Sequence, residues 1–123
     1  MRINIAKGNH RVKRLIIAAV MAVTLAPLAQ AKNAQAVDTR VNGVCGAMVD
    51  ALQMADPNVV FDMCWRGARD AYQGSPTTCP KKIKQFEQQA EKLDGMKRGE
   101  YVQIGEAYRA GCNIGKSSKD AGY

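Results

Sequence analysis

The sequence predicts an all-α protein, a small four-helix bundle made of two helical hairpins and stapled by two disulfides. Three observations predict it. Apolar residues recur at three- and four-residue steps in four separate segments, and no run of comparable length alternates with the two-residue period of a strand. Four cysteines, an even number, fall within the roughly ninety residues that follow an export signal.

The signal comes first in the chain. MRINIAKGNHRVKRLIIAAVMAVTLAPLAQA, residues 1–31, carries Arg2, Lys7, Arg11, Lys13 and Arg14, then an apolar run from Leu15 to Ala26, then Ala29-Gln30-Ala31. This is the three-part layout of a secretory signal peptide. The apolar run is shorter than the roughly 20 residues of a spanning helix, so no stable membrane insertion is expected after cleavage. Ala34-Gln35-Ala36 offers a second cut, placing cleavage after Ala31 or Ala36. The expected product is periplasmic or secreted, with a flexible start at 32–38, a helical domain over 39–112 and a flexible tail at 113–123.

Removing the signal removes most of the positive charge. The whole chain carries +7, but the segment after residue 31 has 13 Lys or Arg against 11 Asp or Glu. A nucleic-acid protein keeps a strong basic excess in clusters, and the one cluster here is Lys81, Lys82 and Lys84 at the start of a helix, so no nucleic-acid partner is expected.

The first helix is expected over 39–55, with Val41, Val44, Cys45, Met48 and Leu52 on one face. Asp56 then caps the second, and Pro57 suits its first position. That helix, 57–72, turns Val60, Phe61, Cys64, Trp65, Ala68 and Tyr72 inward. Gly74 and Pro76 in QGSPTT break it, and the chain restarts near Cys79-Pro80. The third helix, 80–93, buries Ile83, Phe86, Ala90 and Leu93 and stops at Gly95. A fourth, 99–110, buries Tyr101 or Val102, with Ile104, Ala107 and Tyr108, and Gly111 ends it.

Short connections make consecutive helices antiparallel neighbours, so the cysteines can be tested against the turns. With the second turn near Met96, Cys79 and Cys112 lie at similar distances from it and meet at the open end of their hairpin. With the first turn near Asp56, Cys45 and Cys64 are several ångströms out of register, and their pairing follows by elimination more than by geometry. Each bridge closes a loop worth about 3 to 4 kcal/mol by chain entropy. A domain this small has a net stability of about 5 to 15 kcal/mol, so the staples matter.

Cys64, in CWRGARDAY, could also be a nucleophile or a metal ligand. The one histidine, His10, lies in the signal, which removes the commonest general base and every His-containing metal site. Helical phase turns Arg66 and Arg69 away from Cys64, and no C-x-x-C knuckle is present. Glu87 and Glu91 share a face but sit beside Lys84 as surface acids. No cofactor, metal or catalytic activity is therefore expected.

Partner recognition is the remaining class. Asp62, Arg66 and Asp70 follow one another at four-residue steps with Arg69 alongside, either an i,i+4 salt ladder or a charged patch suited to a protein partner. Ser75 and Thr77 lie in the longest exposed loop, and loops on a rigid scaffold are frequent binding elements.

The order of features resembles the periplasmic immunity proteins that neutralise type VI secretion peptidoglycan amidases. The matching residues are an early cysteine at Cys45, then FDMCWRGARDAY, then Cys79-Pro80, then IGEAYRAGC closing on Cys112. The resemblance spans residues 40–112. It implies a small exported helical protein that blocks a peptidoglycan-degrading effector by surface complementarity, with homodimers as one form. The competing expectation is a structural accessory or chaperone of a secretion or conjugation apparatus.

Overall fold

The computed structural model describes residues 34–123. The chain divides into two units, Met1–Gln35 and Ala36–Tyr123; the signal segment and the cut after Ala31 lie outside the described residues. The described chain is helical, with no strand: α1 over 34–51, α2 Pro57–Gln73, α3 Thr78–Ala90 and α4 Gly95–Asp120.

The all-α fold and both disulfides stand as expected. Cys45 bridges Cys64 with Cα atoms 5.5 Å apart, and Cys79 bridges Cys112 at 6.2 Å. The register that looked awkward for the first bridge disappears because α1 ends four residues early. Its connection, 52–56, centres on Met54, nine residues after Cys45 and ten before Cys64. The helix stops there because Gln103 of α4 takes the next amides: its Oε1 accepts from the N–H of Met54 at 2.9 Å and of Ala55 at 3.1 Å. Asp56 caps α2 as the sequence suggests, accepting from the Asn58 N–H at 2.8 Å, and Pro57 opens the helix.

Both ends of the helical region extend further than expected. Residues 34–38 are helix instead of a flexible start, and Ala36 lies inside it. Val37 extends the stripe of Val41 and Cys45 onto the core, so the apolar face begins before residue 39. The tail is corrected more strongly. α4 runs from Gly95 to Asp120, so residues 113–120 are helix, and Ile114, Gly115 and Ser118 pack inward. Arg40 Nε donates to the fully buried Ser118 Oγ at 3.1 Å, and its guanidinium lies 5.0 Å from the centre of the Tyr123 ring. The Tyr72 hydroxyl donates to the Tyr123 carbonyl oxygen.

Neither Gly95 nor Gly111 ends a helix as the sequence suggests. Gly95 does not end α3; with φ 61° it turns the chain into α4, a conformation glycine adopts without penalty. Gly111 does not end α4, because the helix continues through it against α2. A Cβ at Gly111 would lie 1.8 Å from the Cys64 carbonyl oxygen, and one at Gly67 would lie 2.1 Å from that of Tyr108. Gly115 faces the Ala68 carbonyl in the same way. These small residues let the α2 and α4 backbones touch, and among α2, α3 and α4 this pair makes by far the most extensive contact.

The contacts fix the helix directions. Cys64 meets Gly111, Ala68 meets Gly115 and Tyr72 meets Tyr123, so α2 and α4 run the same way. α1 opposes them, since residues 54–55 meet Gln103 and Arg40 meets Ser118. Its stripe closes a core of Val41, Cys45, Ala55, Val60, Cys64, Ala68 and Ala107. α3 stands apart from that core. It packs mainly on α4 through Ile83 and Phe86, is clamped at its start by Cys79–Cys112, and has little contact with α2.

Candidate functional site

The separation of α3 leaves an open cleft of about 520 Å³ between it and the α2/α4 pair. Its floor is aromatic. Phe86 lies with its ring centre 5.6 Å from that of Tyr101 and 5.5 Å from that of Tyr108, in tilted contacts, with Met63 beside them. Arg66 and Lys82 flank the opening, and Gln85 and Gln89 project from the exposed side of α3.

One polar cluster braces the three walls. The Tyr108 hydroxyl of α4 donates to Asp70 Oδ2 of α2 at 2.5 Å, and Lys82 Nζ of α3 donates to the same oxygen at 2.9 Å. Lys82 Nζ is also 5.9 Å from the centre of the Tyr108 ring. Partial burial pushes the Asp70 carboxyl upward, but the hydrogen bonds from Tyr108 and Lys82, with the Lys82 and Arg69 charges, outweigh it. The carboxyl is held below its usual range. Burial, the bond to Asp70 and its negative charge together push the Tyr108 phenol well above its usual value.

Other polar groups at the cleft keep free donors or acceptors among the described residues. Among the described residues, the Gln85 and Gln89 side chains and the Tyr101 hydroxyl make no hydrogen bond, and Arg66 uses only Nε, at 2.9 Å from Asp62 Oδ2. Among the described residues the lining holds no carboxylate, serine, threonine or thiol. An aromatic floor under unfilled donors and acceptors matches how sites built for recognition are made. Among the described residues no group of three His, Cys, Asp or Glu is placed to hold a metal.

The six residues expected to contact a partner are divided by the fold. Asp62 and Arg66 form an exposed i,i+4 pair, and Arg66 borders the cleft. Asp70 leaves the ladder, because its carboxylate serves Tyr108 and Lys82 instead of Arg66. Arg69 is exposed beside it. Ser75 and Thr77 lie in the loop between α2 and α3, where Ser75 Oγ is 3.0 Å from Thr77 Oγ1 and 3.2 Å from Thr78 Oγ1. Ser75 borders a different hollow, beside the second disulfide.

The sequence places Phe86 and Tyr108 in the core and Lys82 in a basic cluster at a helix start, and it assigns no role to Gln85 or Gln89. A usable signal was the thin apolar stripe of α3, which leaves too little greasy surface to seal that helix down. The uncharged amides Gln85, Gln88 and Gln89 on its other faces were a second. Trp65, expected inward, is half-buried, and its Nε1 donates to Asn42 Oδ1 at 3.1 Å.

No family model matches the chain, and neither the curated proteins nor the solved structures contain a match. No described helix is long and apolar enough to cross a membrane. The two formed disulfides suit an oxidising compartment.

Proposed function

We propose that this is an exported, non-catalytic binding protein whose cleft beneath α3 receives a protruding segment of another exported protein. The observation that carries the reading is the pairing of an aromatic floor, Phe86, Tyr101 and Tyr108, with the unpartnered polar groups of Gln85, Gln89 and Tyr101 and the donors of Arg66 that Asp62 leaves free. A peptide loop supplies what these groups lack: an apolar side chain for the floor and backbone amides and carbonyls for the edge. Tyrosine and arginine are also the residues that most often dominate binding energy at such surfaces. The close seam between α2 and α4 and the Cys79–Cys112 clamp on α3 fix the cleft walls before the partner arrives, which lowers the ordering cost of association.

In its sharpest form the partner is a peptidoglycan-degrading effector, which the domain inhibits by occupying its working surface. Mature, oxidised protein immobilised in a periplasmic extract should capture such an enzyme, and adding free domain should stop its hydrolysis of peptidoglycan. Arg66→Glu combined with Tyr101→Ala should weaken capture by roughly a thousandfold, in line with two hot spots of about 2 kcal/mol each. Recovery of secretion-channel subunits alone, or undiminished capture by the double variant, would refute the reading.

A further inference from the structure

We infer that the Cys79–Cys112 disulfide is a site of thiol exchange that takes an acidic thiol, while Cys45–Cys64 stays closed. The two bridges have different surroundings. Cys45 and Cys64 are both 0% exposed, enclosed in the core where α1 meets α2. Cys79 and Cys112 keep 8% and 5% exposure and form part of the wall of a hollow of about 380 Å³. That volume falls within the span of small-ligand sites, about 300 to 1,000 Å³.

The hollow has an apolar wall, including Ala71, Pro76 and Ile83, and a charged lip of Lys116, Lys119 and Asp120. Lys116 is held by Asp120 at 3.2 Å, whereas Lys119 has no ion-pair partner among the described residues. One cation without an ion-pair partner therefore borders the same hollow as the disulfide. An anionic visitor is attracted to the lip, and a thiol on it meets the bridge.

Exchange rate depends on access and on how readily the departing sulfur leaves as a thiolate. Cys79 is the second residue of α3, where the aligned peptide dipoles favour a negative sulfur. An incoming thiolate attacks Cys112 Sγ and forms a mixed disulfide; the Cys79–Cys112 bond breaks and its electron pair goes to Cys79 as a thiolate. A second thiol of the reagent then attacks the reagent sulfur of that mixed disulfide. The reagent leaves as its own disulfide, and Cys112 departs as a thiolate and takes a proton from water. Two reagent thiols are oxidised and one protein disulfide becomes two thiols. Because α3 is held mainly by that clamp and by α4, with only the Lys82–Asp70 pair and slight packing on α2, its first turns loosen while α1, α2 and α4 stay packed around Cys45–Cys64.

The test exposes the native protein to reduced glutathione, a net-anionic thiol, and to cysteamine, a cationic one, at matched thiolate concentrations. Free thiols are alkylated at intervals and counted by peptide mass spectrometry. Cys79 and Cys112 should label roughly tenfold faster than Cys45 and Cys64, glutathione should outpace cysteamine several-fold, and Lys119→Glu should abolish that preference. Hydrogen exchange on the half-reduced protein should show lost protection in α3 and retained protection in α2 and α4. Simultaneous labelling of both pairs, earlier labelling of Cys45 and Cys64, or collapse of α2 and α4 protection would overturn the exchange site. Equal rates for the two reagents, or a preference that survives Lys119→Glu, would overturn its acidic selectivity.

Discussion

Gly111 approaches Cys64 so closely that a methyl group on it would stand 1.8 Å from the Cys64 carbonyl oxygen. The obstacle is backbone, so the two helices would have to separate to admit it. Gly111→Ala should lower stability by about 3 kcal/mol, the upper end of the overpacking range. It should do so despite the advantage of about 1 kcal/mol that alanine has over glycine within a helix. Gly43→Ala is the control: its new methyl meets nothing within 4 Å, and it should raise stability by about 0.5 to 1 kcal/mol. Urea-unfolding midpoints of the two variants should move in opposite directions.

The Asp70–Tyr108 bond links stability to pH from both sides. The folded Asp70 carboxyl sits below its usual value, so its contribution is fully present above the unfolded value, near pH 4, and is lost as pH falls through the folded one. The folded Tyr108 phenol sits above its usual value, so its contribution is present below about pH 10 and declines as pH rises beyond it. Unfolding midpoints should hold a plateau near neutrality and fall at both extremes. Tyr108→Phe should lower the plateau by about 1 kcal/mol and flatten the alkaline limb, and Asp70→Asn should flatten the acid limb.

Removing the two bridges should cost comparable amounts. Their cysteines are 19 and 33 residues apart in sequence. Chain-entropy estimates give about 3 kcal/mol for the shorter loop and about 4 kcal/mol for the longer. Cys45→Ala with Cys64→Ala, and Cys79→Ala with Cys112→Ala, should each fall near these values by denaturant titration. Arg66→Ala should change stability by less than about 1 kcal/mol, because its pair with Asp62 is exposed to solvent.

The last turns of α4 are part of the core. Deleting residues 113–123 would remove the buried Ser118, the packing of Ile114 and Gly115, and the anchorage of Arg40 and Tyr72. The shortened chain should lose at least about 3 kcal/mol, as expected when several buried contacts go together. In the intact protein the amides of residues 114–118 should exchange as slowly as those of α2. Rapid exchange there would return this segment to the status of a frayed tail.

The fold class was legible because its signals are local: helical spacing, Asp56-Pro57 as a cap, and an even cysteine count in a short exported chain. Helix ends were less legible because long-range partners set them. Gln103, about fifty positions away, terminates α1, and no feature near Ala55 announces it. Gly111 reads as a stop by propensity, and only the α2 backbone pressed against it explains a glycine inside a long helix. The cleft was hidden for a related reason. Tyr101 and Tyr108 have the spacing of core residues, and only the displacement of α3 turns their rings into the floor of an opening. Of the six residues read as a recognition patch, Arg66 reaches that opening, and Asp70 serves to brace it.

The account rests on covalent staples that hold a helical scaffold open for recognition, with all four cysteines paired in the resting protein. Non-reducing peptide mapping of protein recovered from the cell, with thiols blocked at lysis, tests this most directly. It should yield two linked peptide pairs, Cys45 with Cys64 and Cys79 with Cys112, and no blocked cysteine. A Cys45–Cys79 linkage, or protein carrying four blocked thiols, would contradict it.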